Sequence, residues 1–214
     1  MHLEICIEDA SGKIFLEHML PKILNEDEAT WRVHGYKGIG RLPKNLTVAS
    51  NPKKKTLLDK LPTLLRGFAR TPGIDAVIII VDTDDSDCGE LLRELNGVVA
   101  VTHPVPKVFF RLAIEEMEAW YLGDVLAIKA AYPNAKEAQI QAYVSDSICG
   151  TWERLADAIV SGGASKLKTD GWPASGVTKC EWAGRITPHM DVEANSSPSF
   201  IKFRDGIRGL VALL

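Results

Sequence analysis

Residues 74–87 read IDAVIIIVDTDDSD, an apolar run that ends in four aspartates within six positions, Asp82, Asp84, Asp85 and Asp87. A strand with one face in water alternates apolar and polar residues. An unbroken Val/Ile run instead predicts a central parallel strand covered by helices on both faces. Such a strand needs helical crossovers around it, and the flanking sequence supplies them. LEICIE (3–8) reads as a strand and GKIFLEHMLPKIL (12–24) as a helix with apolar spacing through Phe15, Met19 and Ile23. WRVHGY (31–36) reads as a second strand, and KKKTLLDKLPTLLRGFAR is helical in pattern despite Pro62. CGELLRELNG (88–97) predicts the helix after the central strand, with Gly97 as its cap, and PKVFFRLAIEEMEAWYLGD begins as a strand and turns helical near Glu115.

This alternation predicts an α/β domain with a mainly parallel sheet flanked by helices over residues 1–126. Residues 127–214 predict a mostly helical C-terminal extension packed on it, through VLAIKAAY, TWERLADAIV and a helix after NSSPSF. SGGASKLKTDGWPASG within that extension reads as a Gly-rich loop.

The chain has 214 residues, 46% hydrophobic and 25% charged, an ordinary globular composition. Its N-terminus lacks the pattern of a signal peptide, and no apolar run reaches the ~18 residues of a membrane span, so a cytoplasmic protein without membrane contact is expected. Four dispersed cysteines without a CxxC pair predict reduced thiols, with Cys149 and Cys180 buried. The net charge of −3 conceals a division: residues 13–70 hold twelve Lys/Arg and five Asp/Glu, residues 71–126 three and eleven. A basic block beside an acidic one suits a polyanion held by one part while another collects metal cations, although ordinary charge variation gives the same count.

In parallel sheets, side chains converge on a crevice at the strand ends. Glu8 and Asp9 follow the first strand, Asp82 and Asp84 the third, and Glu115, Glu116 and Glu118 the fourth. In continued extended geometry Asp82 and Asp84 point the same way and offer hard oxygens to one Mg²⁺ or Mn²⁺; the competing reading is a solvated turn or helix cap. Glu115 and Glu118, three apart on a helix, would share a face toward the same ends. KGIGR (37–41) could bring backbone N–H groups of Gly38 and Gly40 to a phosphate beside Lys37 and Arg41, or be a plain turn. Lys53, Lys54 and Lys55 are a solvated helix start or a nucleic-acid contact. Met117, Trp120 and Tyr121 read as core. An EF-hand fails at Asp87 and Arg93, and a P-loop fails at Ile7.

Glu at the end of the first strand and DxD at the end of the third resemble the Toprim domain of topoisomerases, primases and OLD-type nucleases. IEDASGKIFLEHMLPKIL, GIGRLPKNL, FRLAIEEMEAWYLGD, GTWERLADAI, KCEWAGRITPHMD and NSSPSF together resemble an uncharacterised prokaryotic Toprim-like family, domain of unknown function family 4276, often encoded beside ATPases. The resemblance implies a Toprim/Rossmann-like sheet and a Mg²⁺ or Mn²⁺ site formed by Glu8, Asp82 and Asp84, with Glu118 completing the shell. It implies metal-dependent phosphodiester cleavage of nucleic acid, with Glu8, Asp82 and Asp84 catalytic, in prokaryotic defence with a partner ATPase. OLD-like members carry a second Glu four residues after the first, where this chain has Gly12. That departure favours the alternative of a non-catalytic nucleotide- or nucleic-acid-binding module that docks an ATPase. A DxD glycosyltransferase is a third reading.

Overall fold

The computed structural model of the chain describes residues 1–43 and 55–213. Strand and helix alternate as β1 (His2–Ile7), α1 (Ala10–Ile23), β2 (Thr30–Gly35), α2 (Leu57–Ala69), β3 (Ala76–Asp82), α3 (Cys88–Val101) and β4 (Lys107–Ala113). The strands form one parallel sheet in the order β2-β1-β3-β4, an α/β Rossmann-like arrangement. Lys53 and Lys54 lie outside the described residues; Lys55 is exposed just before α2.

The unbroken apolar run in β3 reflects burial of both its faces. Ala76, Ile78 and Ile80 join Leu3, Ile5 and Ile7 of β1 in a core beneath α1, with Phe15, Leu16, Met19 and Leu20. Val77, Ile79 and Val81 join Cys6 in a second core with Leu57, Leu61 and Leu65 of α2 and Leu91, Leu95 and Val98 of α3. Each fully buried Ile or Leu contributes about 1.5–3 kcal/mol, so the alternate residues of β3 tie both layers to one strand.

The C-terminal part comprises α4 (Glu118–Leu122), α5 (Val125–Ala131), α6 (Glu137–Gln141), α7 (Thr151–Ile159), α8 (Gly163–Asp170), α9 (Trp172–Ile186) and α10 (Pro198–Ala212). These helices share the α1-side core. Trp120 stacks on Phe203 at 4.9 Å between ring centroids and meets Phe15 at 5.2 Å, and its Nε1–H donates to Ser199 Oγ at 2.8 Å. Met117, Trp120 and Tyr121 are buried, as their apolar character predicts.

Three local expectations change. The segment SGGASKLKTDGWPASG is helical: it spans α8 and the first turns of α9. Its glycines punctuate rather than unwind it, because Gly162 and Gly171 take the positive φ values of +87° and +86° that end one helix and start the next. Gly97 is no cap, since α3 continues to Val101. Helical structure does not begin at Glu115, which has φ +57°; α4 starts at Glu118.

Gly12 is where α1 meets β1. A Cβ there would lie 2.5 Å from Ile7 Cδ1 and 2.7 Å from Ile7 Cγ1, inside a packed core. Gly12→Ala is therefore expected to destabilise the fold by ~1–3 kcal/mol in chemical denaturation. A variant as stable as the wild type would show that Ile7 repacks without cost.

Candidate functional site

The chain order reverses at the β1/β3 boundary, since β2 lies on one side of β1 and β3 on the other. Ligands of open parallel sheets bind at the carboxyl ends of the strands at such a point. A cleft of about 700 Å³ opens there. Its floor holds Glu8 and Asp9 after β1 and Asp82 and Asp84 at and after β3. The Lys37–Ile39 turn forms one side, and α9 contributes Gly176, Val177 and Lys179 to the other. Glu118 lines the narrow extension of the cleft beside Asp82 and Lys179. Glu8, Asp82, Asp84 and Glu118 thus border the same recess, brought there by the carboxyl ends of β1 and β3 and by the start of α4.

The backbone holds the acids in place. Glu8 Oε1 accepts the N–H of Asp82 at 2.6 Å, tying the two strand ends together, and the Glu8 carbonyl accepts the N–H of Gly38 at 2.8 Å. Asp9 caps α1 by accepting from Gly12 N at 2.7 Å and from Ser11 Oγ at 2.8 Å. Asp84 N donates to the carbonyl of Glu115 at 2.9 Å, which ties the loop after β3 to the loop after β4.

Burial and mutual repulsion raise the proton affinities. Desolvation, then the charges of Asp84 and Asp9, push the Glu8 carboxyl from its ordinary 4.5 up to about 8, although the Asp82 N–H opposes the shift. Asp82 is raised well above the usual carboxylate range by desolvation and then by Glu8 and Glu118. Asp84 is raised by desolvation and by Asp85. Glu116 rises to about 7 through desolvation and the charge of Glu118.

A cation sits among these acids. Lys179 Nζ lies 3.4 Å from both Glu116 Oε1 and Glu118 Oε2, with only 12% of its side chain exposed. Desolvation lowers its proton affinity, but Glu118, Glu116, Asp82 and Asp9 more than reverse that and hold it charged far above neutral pH. Sequence reasoning assigned Lys179 no role, because the preceding residues read as a loop and no local pattern pairs position 179 with the strand ends. The available signal was the acid crowding, which demands a nearby cation.

The other strand-end acids divide their work. Asp85 is exposed, and Asp87 caps α3 by accepting from Glu90 N at 2.9 Å. Extended geometry does not continue past Asp82: Asp84 has φ +45° and reaches the cleft through a turn closed by Ser86 N donating to the Thr83 carbonyl at 2.8 Å. Glu115 does not share a face with Glu118. Its carboxylate accepts the N–H groups of Cys149, Gly150 and Thr151 at 3.0, 2.7 and 3.1 Å and the Thr151 hydroxyl, capping α7 and lowering its proton affinity against the cost of burial. Four donors on one carboxylate leave it committed to structure.

The glycine turn is less open than its sequence suggests. Lys37 and Gly38 line the cleft; Gly40 and Arg41 do not. The Gly38 N–H is used by Glu8, and a Cβ at Gly40 would collide with Thr56 and Asp59 at the start of α2. Cys149 is exposed and Cys180 half-buried at the cleft wall, not buried as expected. Among the described residues, no three Asp, Glu, His or Cys side chains form a ready-made metal shell.

Glu8 makes stability pH-dependent. Its folded proton affinity exceeds the unfolded one, so its stabilisation is complete below pH 4.5 and is lost as pH rises toward 8. Glu8→Gln keeps the acceptor for Asp82 N, so the variant should gain at least ~1 kcal/mol on the wild type between pH 5 and pH 8 in urea titrations. A pH-independent difference would contradict this electrostatic picture. Lys179→Met leaves Glu116 and Glu118 without their cation and is expected to cost ~3–5 kcal/mol near pH 8. The loss should shrink at pH 5, where Glu116 is protonated; an equal loss at both pH values would assign Lys179 a packing role only.

No curated protein and no solved structure matches the chain. The family model described as a domain of unknown function matches residues 7–208, which include β2, β3, β4, the last residue of β1, the acidic cleft and α9. The chain therefore belongs to the family of the domain of unknown function DUF4276.

Proposed function

We propose that the acidic cleft binds a divalent cation, Mg²⁺ or Mn²⁺, and cleaves phosphodiesters of nucleic acid. The observation that carries this reading is an unbalanced charge. Among the described residues, six carboxylates, Glu8, Asp9, Asp82, Asp84, Glu116 and Glu118, border the recess against one buried ammonium, Lys179, and the exposed Lys37. Desolvation first, and the neighbouring acids second, raise the proton affinities of Glu8 and Asp82, and a divalent ion would offset both where protons otherwise must.

The donor types suit such an ion, which would draw together side chains that form no ready-made shell among the described residues. Mg²⁺ takes hard oxygens, needs only one or two protein carboxylates and fills the rest of its shell with water and phosphate oxygens. Glu8, Asp82 and Asp84 would hold it. Once bound, the ion would neutralise the phosphodiester and lower the pKa of an attacking water. Glu8 Oε1 stays engaged with Asp82 N, which orients the carboxylate and leaves Oε2 for the ion or a water. Glu118 is paired with Lys179 and so belongs to the outer support rather than the first ligands. Lys37, exposed at the mouth, is placed to attract a phosphate. The pairing of a Glu after β1 with an Asp-x-Asp after β3 resembles Toprim nucleases and supports the same reading, and a cytoplasmic setting, with the partner ATPase suggested by that resemblance, accords with four unpaired cysteines.

A second reading is a metal-independent nucleotide-binding module. Gly12 favours it, because its contact with Ile7 leaves no room for a second acid on α1. Purified full-length protein should nick supercoiled DNA with Mn²⁺, and Asp82→Asn should lower the rate by a factor of ~100 or more while abolishing the Mn²⁺-dependent rise in melting temperature. Equal nicking by wild type and Asp82→Asn would remove the cleavage assignment. Binding of oligonucleotide unaffected by chelator, with no turnover, would support the module instead.

A further inference from the structure

A second pocket, of about 430 Å³, lies at the outer edge of β4 and shares no lining residue with the acidic cleft. Leu92 and Leu112 line it from the α3 side, and Arg111, Ser199 and Lys202 from the α10 side. Arg111 is anomalous. Side chains alternate along β4, so Phe110 and Leu112 join the α3-side core, and Arg111 falls on the α1-side face, opposite Ile80 in the register. A guanidinium therefore stands where the neighbouring strand has isoleucine.

Three observations show that the protein accommodates this charge without neutralising it. First, among the described residues no carboxylate lies within ion-pair distance of Arg111 or Lys202. Arg111 donates one hydrogen bond, from Nη1 to the carbonyl of Phe110 at 2.8 Å, and its buried Nε has no partner. Second, α10 is cut away to admit it, since a Cβ at Gly206 would run into the guanidinium. Lys202 lies four residues earlier on α10, on the same side of the helix. Third, the pocket's acid, Asp146, is spent: its oxygens accept from Ser197 Oγ at 2.7 Å, Ser199 N at 2.6 Å and Ser199 Oγ at 3.1 Å, capping α10. Desolvation lowers the proton affinity of Arg111, the cost of half-burying a charge without a counter-charge.

We infer that this pocket binds an oxyanion carried on an apolar body, with the carboxylate or phosphate on Arg111 and Lys202 and the apolar part on Leu92 and Leu112. An arginine fork matches either oxyanion in geometry, and the ligand supplies the negative charge that the chain withholds. The apolar wall distinguishes the site from a plain phosphate subsite, because a bare inorganic ion would leave Leu92 and Leu112 uncovered. Ligand binding here is independent of the cation chemistry in the acidic cleft.

The test uses full-length ¹⁵N-labelled protein titrated with benzoate, its neutral counterpart benzamide, and inorganic phosphate. Saturable shifts confined to β4 and the first half of α10 are expected with benzoate, and a response at least tenfold weaker with benzamide. A response to inorganic phosphate as strong as that to benzoate would overturn the role of the apolar wall; phenyl phosphate against benzoate then separates phosphate from carboxylate compounds. Lys202→Met, an exposed change, should weaken binding severalfold without altering the melting temperature. Arg111→Met should abolish binding and leave the unliganded protein as stable or more so, because an apolar chain of similar length replaces an uncompensated charge. Absence of a saturable response to either anion in the wild type would overturn the inference. So would a response that both variants retain.

Discussion

Lys179 and the carboxylates around it form the interaction on which the strand-end architecture depends. Two unit charges 4 Å apart interact by about 4 kcal/mol at an effective dielectric constant near 20, so desolvated acids at neighbouring strand tips repel strongly unless a cation or protons intervene. Lys179 supplies the cation from α9, a helix more than ninety residues further along the chain than Asp82. It holds Glu116 and Glu118 directly, and its field reaches Glu8, Asp82 and Asp84. The C-terminal helices are therefore part of the candidate site, and α9 owes its position to packing along α1 in the core they share.

The strand-end acids separate into two uses that burial alone does not distinguish. Glu115 and Asp87 face helix N-termini, and Asp124 likewise accepts from Ala127 N at 2.9 Å to cap α5. There the peptide N–H groups satisfy the carboxylate and favour its charge. Glu8 and Asp82 face one another and lose water without gaining enough donors, which raises their proton affinities. An acid whose charge is satisfied by the backbone is structural; one left in debt to its neighbours is available to a ligand. Glu116 lies between the two, accepting from Trp152 N at 3.0 Å with one oxygen and from Lys179 with the other.

The two pockets place opposite demands on one helical layer. At the sheet's carboxyl end α9 brings a cation to surplus anions, and at the β4 edge α10 frames a cation that, among the described residues, no carboxylate pairs. In each case the small residue matters as much as the charged one. Gly12 lets α1 press onto Ile7 beside the acids, and Gly206 lets α10 close over Arg111. Uncompensated charge at two separate recesses in a chain otherwise well supplied with ion pairs and caps is the common physical argument behind both functional readings.

Much of the scaffold was legible in the amino-acid order. The Val/Ile run of β3, the helical spacing of α1 and the strand-helix alternation specify a parallel α/β sheet, because periodicity and burial act locally along the chain. The same logic put Glu8, Asp82 and Asp84 at strand ends, and adjacency of β1 and β3 brings them together. Positions set by contacts between distant segments were not legible. The commitment of Glu115 to α7, the loss of the Gly38 N–H to Glu8 and the seating of Lys179 among the acids each join residues at least 30 positions apart. Local pattern carries no record of such contacts. Sequence alone determined where the charges accumulate; the tertiary structure decided which are satisfied, because desolvation and pairing depend on distance in space.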